Sequence, residues 1–70
     1  MAKLTEQLNV NGMSCQHCVR AVKNAVSGLP GVDAVEVSLE KNLATVTFDP
    51  ERTNLAAIRA AIEAEGYGAP

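Results

Sequence analysis

A change of hydrophobic period, falling on one seven-residue stretch, most limits how this chain can fold. The stretch is Gly12-Met13-Ser14-Cys15-Gln16-His17-Cys18. Before it, Leu4, Leu8 and Val10 stand at even spacing, the pattern of a strand with one buried face. After it, Cys18, Val19, Val22, Ala25, Val26 and Leu29 recur at three and four, the pattern of an amphipathic helix. The stretch is therefore a strand-to-helix loop. It also holds both cysteines and the only histidine of the chain.

The remaining pattern is read in the same way. A first strand over 4–11 ends at Gly12. A helix follows over Cys15–Ser27, with Ser14 as its expected N-cap. Gly28 is expected in the left-handed position that closes a helix, with Pro30 as a stop just beyond. Val35, Val37 and Leu39 alternate with Glu36 and Ser38 in a second strand. Ala44, Val46 and Phe48 alternate with Thr45 and Thr47 in a third. Glu40-Lys41-Asn42 joins them in a hairpin, with Asn42 expected at positive φ. Thr53 or Asn54 caps a second helix whose apolar stripe is Leu55, Ile58, Ala61 and Ile62, and Gly66 ends it. Tyr67-Gly68-Ala69-Pro70 leaves room for a stub of strand.

Strand, helix, strand, strand, helix, short strand makes two β-α-β halves, the ferredoxin-like α+β arrangement. The expected architecture is a βαββαβ open sandwich, a four-stranded antiparallel sheet. Each helix has one apolar stripe, so both cover the same face. Residues 1–70 form one domain, with no linker or repeat. A chain of this length buries only about 60% of its unfolded surface, so its core is small.

Composition removes several functions. There is one Phe, one Tyr and no Trp, too little for an aromatic platform on single-stranded nucleic acid. A net charge of −2 and a pI near 5.2 oppose binding to a phosphate backbone. No apolar run reaches the ~20 residues that span a bilayer, so no direct membrane insertion is expected. Met1-Ala2-Lys3-Leu4-Thr5-Glu6 lacks the apolar stretch of a signal peptide. The expected location is the cytoplasm, where a close cysteine pair serves metal binding or redox chemistry more often than a structural disulfide.

Two thiolates three residues apart at a helix start lie on one side of the chain and can converge. The helix N-terminus offers free N–H groups and partial positive charge, which favour thiolate over thiol. Arg20 and Lys23 act in the same sense. Structural zinc requires four protein ligands, and Cys15, Cys18 and His17 fall short. Hard cations require oxygen cages. Soft thiolates select Cu(I), which accepts two ligands and leaves room for a partner's cysteine to enter.

The Gly12-Met13-Ser14-Cys15-Gln16-His17-Cys18 stretch resembles the G-M-x-C-x-x-C signature of heavy-metal-associated domains. With Gln16-His17 between the cysteines, and Gly66-Tyr67 after the second helix, the chain most resembles the family's small bacterial copper chaperones. The resemblance covers nearly the whole chain. It implies Cu(I) held by Cys15 and Cys18 and delivered to the metal-binding domain of a copper-exporting P-type ATPase, or in some bacteria to a copper-responsive repressor. It implies a carrier and not an enzyme, monomeric without metal and able to form a copper-bridged homodimer. Relatives usually continue past the Gly-Tyr pair with strand residues. Here Gly68-Ala69-Pro70 is strand-averse.

The other residues near the motif each have an ordinary role as well. Met13 could offer a soft thioether, but the family pattern and its place beside Gly12 put it in the core. His17 lies between positions that share a helix side, so it is expected to be exposed. It would then tune the thiolates or meet a second copper in a dimer. Tyr67 either caps the core edge or shields the metal and hydrogen-bonds a thiolate sulfur. Arg20 and Lys23 either form a solvated helix face or dock an acidic partner. The competing functions are a thiol–disulfide enzyme, a mercury or zinc binder, and an excised N-terminal domain of a copper ATPase.

Overall fold

The computed structural model describes residues 3–69. Five elements follow one another: β1 (Leu4–Asn9), α1 (Gln16–Ser27), β2 (Val32–Ser38), β3 (Leu43–Phe48) and α2 (Leu55–Ala64). The strands form one antiparallel sheet in the order β1-β3-β2. The hairpin is therefore β2–β3, and β3 is central because it pairs on both sides. Ala44, Val46 and Phe48 of β3 are buried, as alternation on one face requires. Their partners on that face include Leu8, opposite Ala44, and Val35, opposite Val46. Ile58 and Ile62 of α2 and Val22 and Val26 of α1 reach no solvent and close the core from the helical side. Each such aliphatic side chain contributes about 1.5–3 kcal/mol by leaving water.

The four-stranded sheet expected from the sequence is a three-stranded sheet among the described residues. The final strand is reduced to an isolated antiparallel bridge between Asn11 and Gly68. Gly66 turns the chain at φ 94° after α2, and glycine gives a strand neither side-chain packing nor low entropy. Pro70, the last residue of the expected stub, lies outside the described residues, as do Met1 and Ala2. The first strand is also shorter than expected and ends at Asn9. Leu4, expected on the buried face, remains 43% exposed. It sits opposite Phe48 at the outer end of an edge strand, where only one neighbouring strand covers it.

The helix ends differ from expectation too. Cys15, not Ser14, is the N-cap of α1, in extended backbone and with no side-chain cap bond. The Ser14 hydroxyl instead lies near the Cys18 sulfur. Gly28 closes α1 in right-handed backbone, φ −77°, so it is not the left-handed residue. The chain tightens through Leu29, whose N–H donates to the Val26 carbonyl, and reverses at Gly31, φ 92°. A Cβ at Gly31 would stand 2.6 Å from the Arg52 Cβ. Asn42 has φ 55° as its turn position suggested. Of the two candidates for the α2 cap, Asn54 serves, its Oδ1 accepting from the Ala57 N–H at 2.9 Å.

Candidate metal centre

The loop runs between the end of β1 and the first turn of α1, at one end of the sheet. Gly12 turns it at φ 98°. Met13 then drops into the core at 8% exposure, in the same cluster as Leu8, Val10, Val22 and Ile62. Its thioether packs with aliphatic side chains. Anchored on one side by Met13 and on the other by α1, the intervening residues present their side chains outward.

Cys15 is exposed and Cys18 half-buried against the core. Their sulfurs lie 3.9 Å apart. Two metal–sulfur bonds of about 2.3 Å span at most ~4.6 Å, so this pair reaches a common ion without rearrangement. Among the described residues, no group of three or more His, Cys, Asp and Glu side chains stands close enough to share an ion.

The environment of Cys18 is specific. Its thiol is lowered from the ordinary 9.0 to about 6. The Ser14 backbone N–H is the largest cause, followed by the Tyr67 hydroxyl, with the Ser14 hydroxyl and the Cys15 thiol adding smaller shares against the opposing effect of burial. The Ser14 hydroxyl lies 3.9 Å from the Cys18 Sγ. Donors that face the charged form favour it. The same contact raises Tyr67, because losing the phenolic proton would remove the bond to Cys18 and place two negative charges together. At neutral pH, Cys18 is thus a thiolate already surrounded by donors.

The residues singled out from sequence separate clearly. Cys15, Cys18 and Tyr67 come together at the loop. His17 is exposed on the first turn of α1, and Arg20 and Lys23 are exposed farther along the same helix. Tyr67 is half-buried and packs against the core, and its hydroxyl is also a hydrogen-bond partner of Cys18. Ser14, expected as the N-cap, instead faces Cys18. Its position four residues before Cys18, about one helical turn, is the sequence signal that links the two. Asn11 and Gly68, whose backbones pair beside the loop, carried no signal in side-chain chemistry.

Comparison with known proteins agrees with this geometry. The model of the heavy-metal-associated domain matches residues 7–68. The chain is 50% identical over 60 residues to the copper chaperone CopZ of Bacillus subtilis (strain 168), covering 86% of this chain and 87% of that protein. It is 40% identical over 62 residues to copper-transporting ATPase 1 of Mus musculus, covering 89% of this chain and 4% of that protein. The solved structure of a CopZ metallochaperone superimposes with a TM-score of 0.93 at 37% identity, covering 96% of this chain and all of that one.

Proposed function

The chain belongs to the heavy-metal-associated domain family, and we propose that within it this chain is a copper chaperone. It takes Cu(I) as cargo on the sulfurs of Cys15 and Cys18 and gives it up by ligand exchange. The observation that carries this reading is the pair of sulfurs 3.9 Å apart at a strand-to-helix loop, in a chain half identical to a copper chaperone over most of its length.

Ligand exchange follows from the chemistry of the pair. A partner's cysteine loses its proton as it joins the ion, giving a three-sulfur arrangement. One sulfur of this chain would then leave and take up a proton, and entry of a second partner cysteine with departure of the remaining sulfur would complete the transfer. No electron moves, and Cu(I) stays Cu(I). Three-coordinate passage avoids releasing a free ion, so tight binding and fast transfer coexist. Cys15, the more exposed sulfur, is the accessible one. Cys18 is held by Ser14 and Tyr67. Reduced thiolates and a monovalent ion require a reducing compartment, which supports work in the cytoplasm.

The proposed recipient is the metal-binding domain of a copper-transporting P-type ATPase. Support comes from the fact that a segment of such an ATPase is itself similar to this chain, so donor and acceptor would present the same kind of site. Arg20 and Lys23 would steer the encounter. Delivery to a copper-responsive repressor and a copper-bridged homodimer, with His17 near the shared metal, extend the same proposal. Titration with Cu(I) against a strong chromophoric chelator tests it. Binding of copper in competition, lost in Cys15→Ser and Cys18→Ser, is the expected result. A chelator that retains all its copper refutes the reading.

The similarity to a short segment of a much larger ATPase favours a second reading, in which this chain is such a domain. The intact mass of the native polypeptide distinguishes the two. A thiol–disulfide oxidoreductase would catalyse insulin reduction, whereas a carrier shows no turnover.

A further inference from the structure

Tyr67 reaches the loop along an unusual path. α2 ends at Ala64, and Gly66 turns the chain sharply. The Tyr67 N–H makes only a long bond to the Ile62 carbonyl, 3.4 Å. The next residue is held far better. The Gly68 N–H donates to the Asn11 carbonyl at 3.0 Å, and the Asn11 N–H donates back to the Gly68 carbonyl at 2.8 Å. This is the only pairing of the C-terminal segment with the sheet side of the loop among the described residues. Asn11 immediately precedes Gly12, and the Tyr67 ring lies on Gly12. A Cβ there would stand 3.5 Å from the ring's Cδ1. Beyond the bridge, Ala69 is buried to 3% and anchors the segment.

The bridge is a single pair of backbone hydrogen bonds, and the segment it ties down also places Ala69 in the core and Tyr67 against it. It fixes the residue after Tyr67 to the residue before the loop glycine, and so fixes one side of the metal loop to the aromatic ring. We infer that Asn11 and Gly68, pairing through their backbones, are positioning residues that hold the Tyr67 hydroxyl on the Cys18 sulfur and thereby limit how readily an incoming group reaches that sulfur. A single pair of hydrogen bonds at a chain end opens more easily than the sheet does, so the clasp can yield without unfolding the domain. The functional consequence rests on the reading of Cys18 as a metal ligand. The positioning itself does not, and its test uses the metal-free protein.

Initial rates of alkylation by iodoacetamide are followed separately at Cys15 and Cys18 by tandem mass spectrometry. A pH of ~10 lies above the ordinary cysteine range, so rates there report access and hydrogen bonding more than titration. Four proteins are compared: the wild type, Gly68→Pro, which removes one bridge donor, Tyr67→Phe, and the double variant. Ala69→Gly, which loosens the same segment without removing a donor, stands in if Gly68→Pro does not fold by circular dichroism. Each single variant is expected to raise the Cys18 rate about threefold to tenfold, the range of one ordinary hydrogen bond, with Cys15 changed less than twofold. The double variant is expected to be no faster than Tyr67→Phe, because the clasp acts through that hydroxyl. The single tyrosine, with no tryptophan in the chain, gives a second readout. Its fluorescence should change in Gly68→Pro while the far-ultraviolet spectrum does not. An unchanged Cys18 rate in the bridge variant or in Tyr67→Phe, equal acceleration at both cysteines, or a double variant equal to the product of the singles overturns the inference. Failure to bind Cu(I) would leave these rates as they are and would refute only the copper reading.

Discussion

The strongest quantitative consequence of the site is the ionisation of Cys18. A thiol at about 6 is roughly nine-tenths thiolate at pH 7, whereas one at the ordinary 9.0 is about one-hundredth thiolate. The structure therefore presents nearly two orders of magnitude more thiolate at Cys18 at neutral pH. The perturbation is Tyr67→Phe, alone and with Ser14→Ala. The assay is the pH profile of Cys18 alkylation in the metal-free protein, resolved from Cys15 by mass spectrometry. The wild-type midpoint is expected near 6. Tyr67→Phe removes the second-largest cause and raises it, and adding Ser14→Ala raises it further. Neither reaches 9.0, because the largest cause is the Ser14 backbone N–H, which substitution of the side chain leaves in place. Linkage has a definite sign. The folded value lies below the unfolded one, so the contribution to stability is full above 9.0 and declines as pH falls. It is gone once pH has passed below about 6. The metal-free protein should thus melt higher as pH rises through that window. A wild-type midpoint near 9, or a Tyr67→Phe midpoint equal to the wild type, refutes the reasoning.

Three further outcomes are expected. Ile58, which reaches no solvent, should cost about 2–5 kcal/mol when replaced by alanine, lowering Tm by roughly 10 °C or more in calorimetry. An unchanged Tm would mean the core is not packed as described. Asn54→Ala should cost about 1 kcal/mol by removing the α2 cap bond, while Asn54→Asp retains most of it, as read by urea denaturation. Reversing Arg20 and Lys23 to glutamate should slow copper transfer to an acidic acceptor domain about tenfold or more at low ionic strength. The difference should narrow above ~0.1 M salt, where the Debye length falls to about 10 Å. Salt-independent slowing would point to contact chemistry instead of steering.

Much of this protein was legible in local pattern. Period two around Ala44, Val46 and Phe48, period three-to-four around Val22 and Val26, Asn42 at a positive φ and Asn54 as a cap all depend on neighbours within a few residues. So does the placement of Cys15 and Cys18 within reach of one ion, since three residues at a helix start leave little freedom. Burial of Met13 followed from its position beside Gly12.

Other features required contacts between distant parts of the chain. Leu4 follows the strand pattern yet stays exposed, because cover at the end of an edge strand depends on what packs there. Gly28 has the composition of a left-handed helix stop, but the turn falls at Gly31, where Arg52 leaves no room for a side chain. Ser14 looks like an N-cap, but its donors go to Cys18. The strong shift at Cys18 owes part of its size to Tyr67, 49 residues later in the chain, and Tyr67 is steered there by a backbone bridge between Asn11 and Gly68. Sequence alone determined which atoms could bind a soft metal and which elements surround them, because short-range geometry sets both. Only the tertiary structure brought Tyr67 to Cys18. That hydrogen bond crosses the fold, and no local period records it.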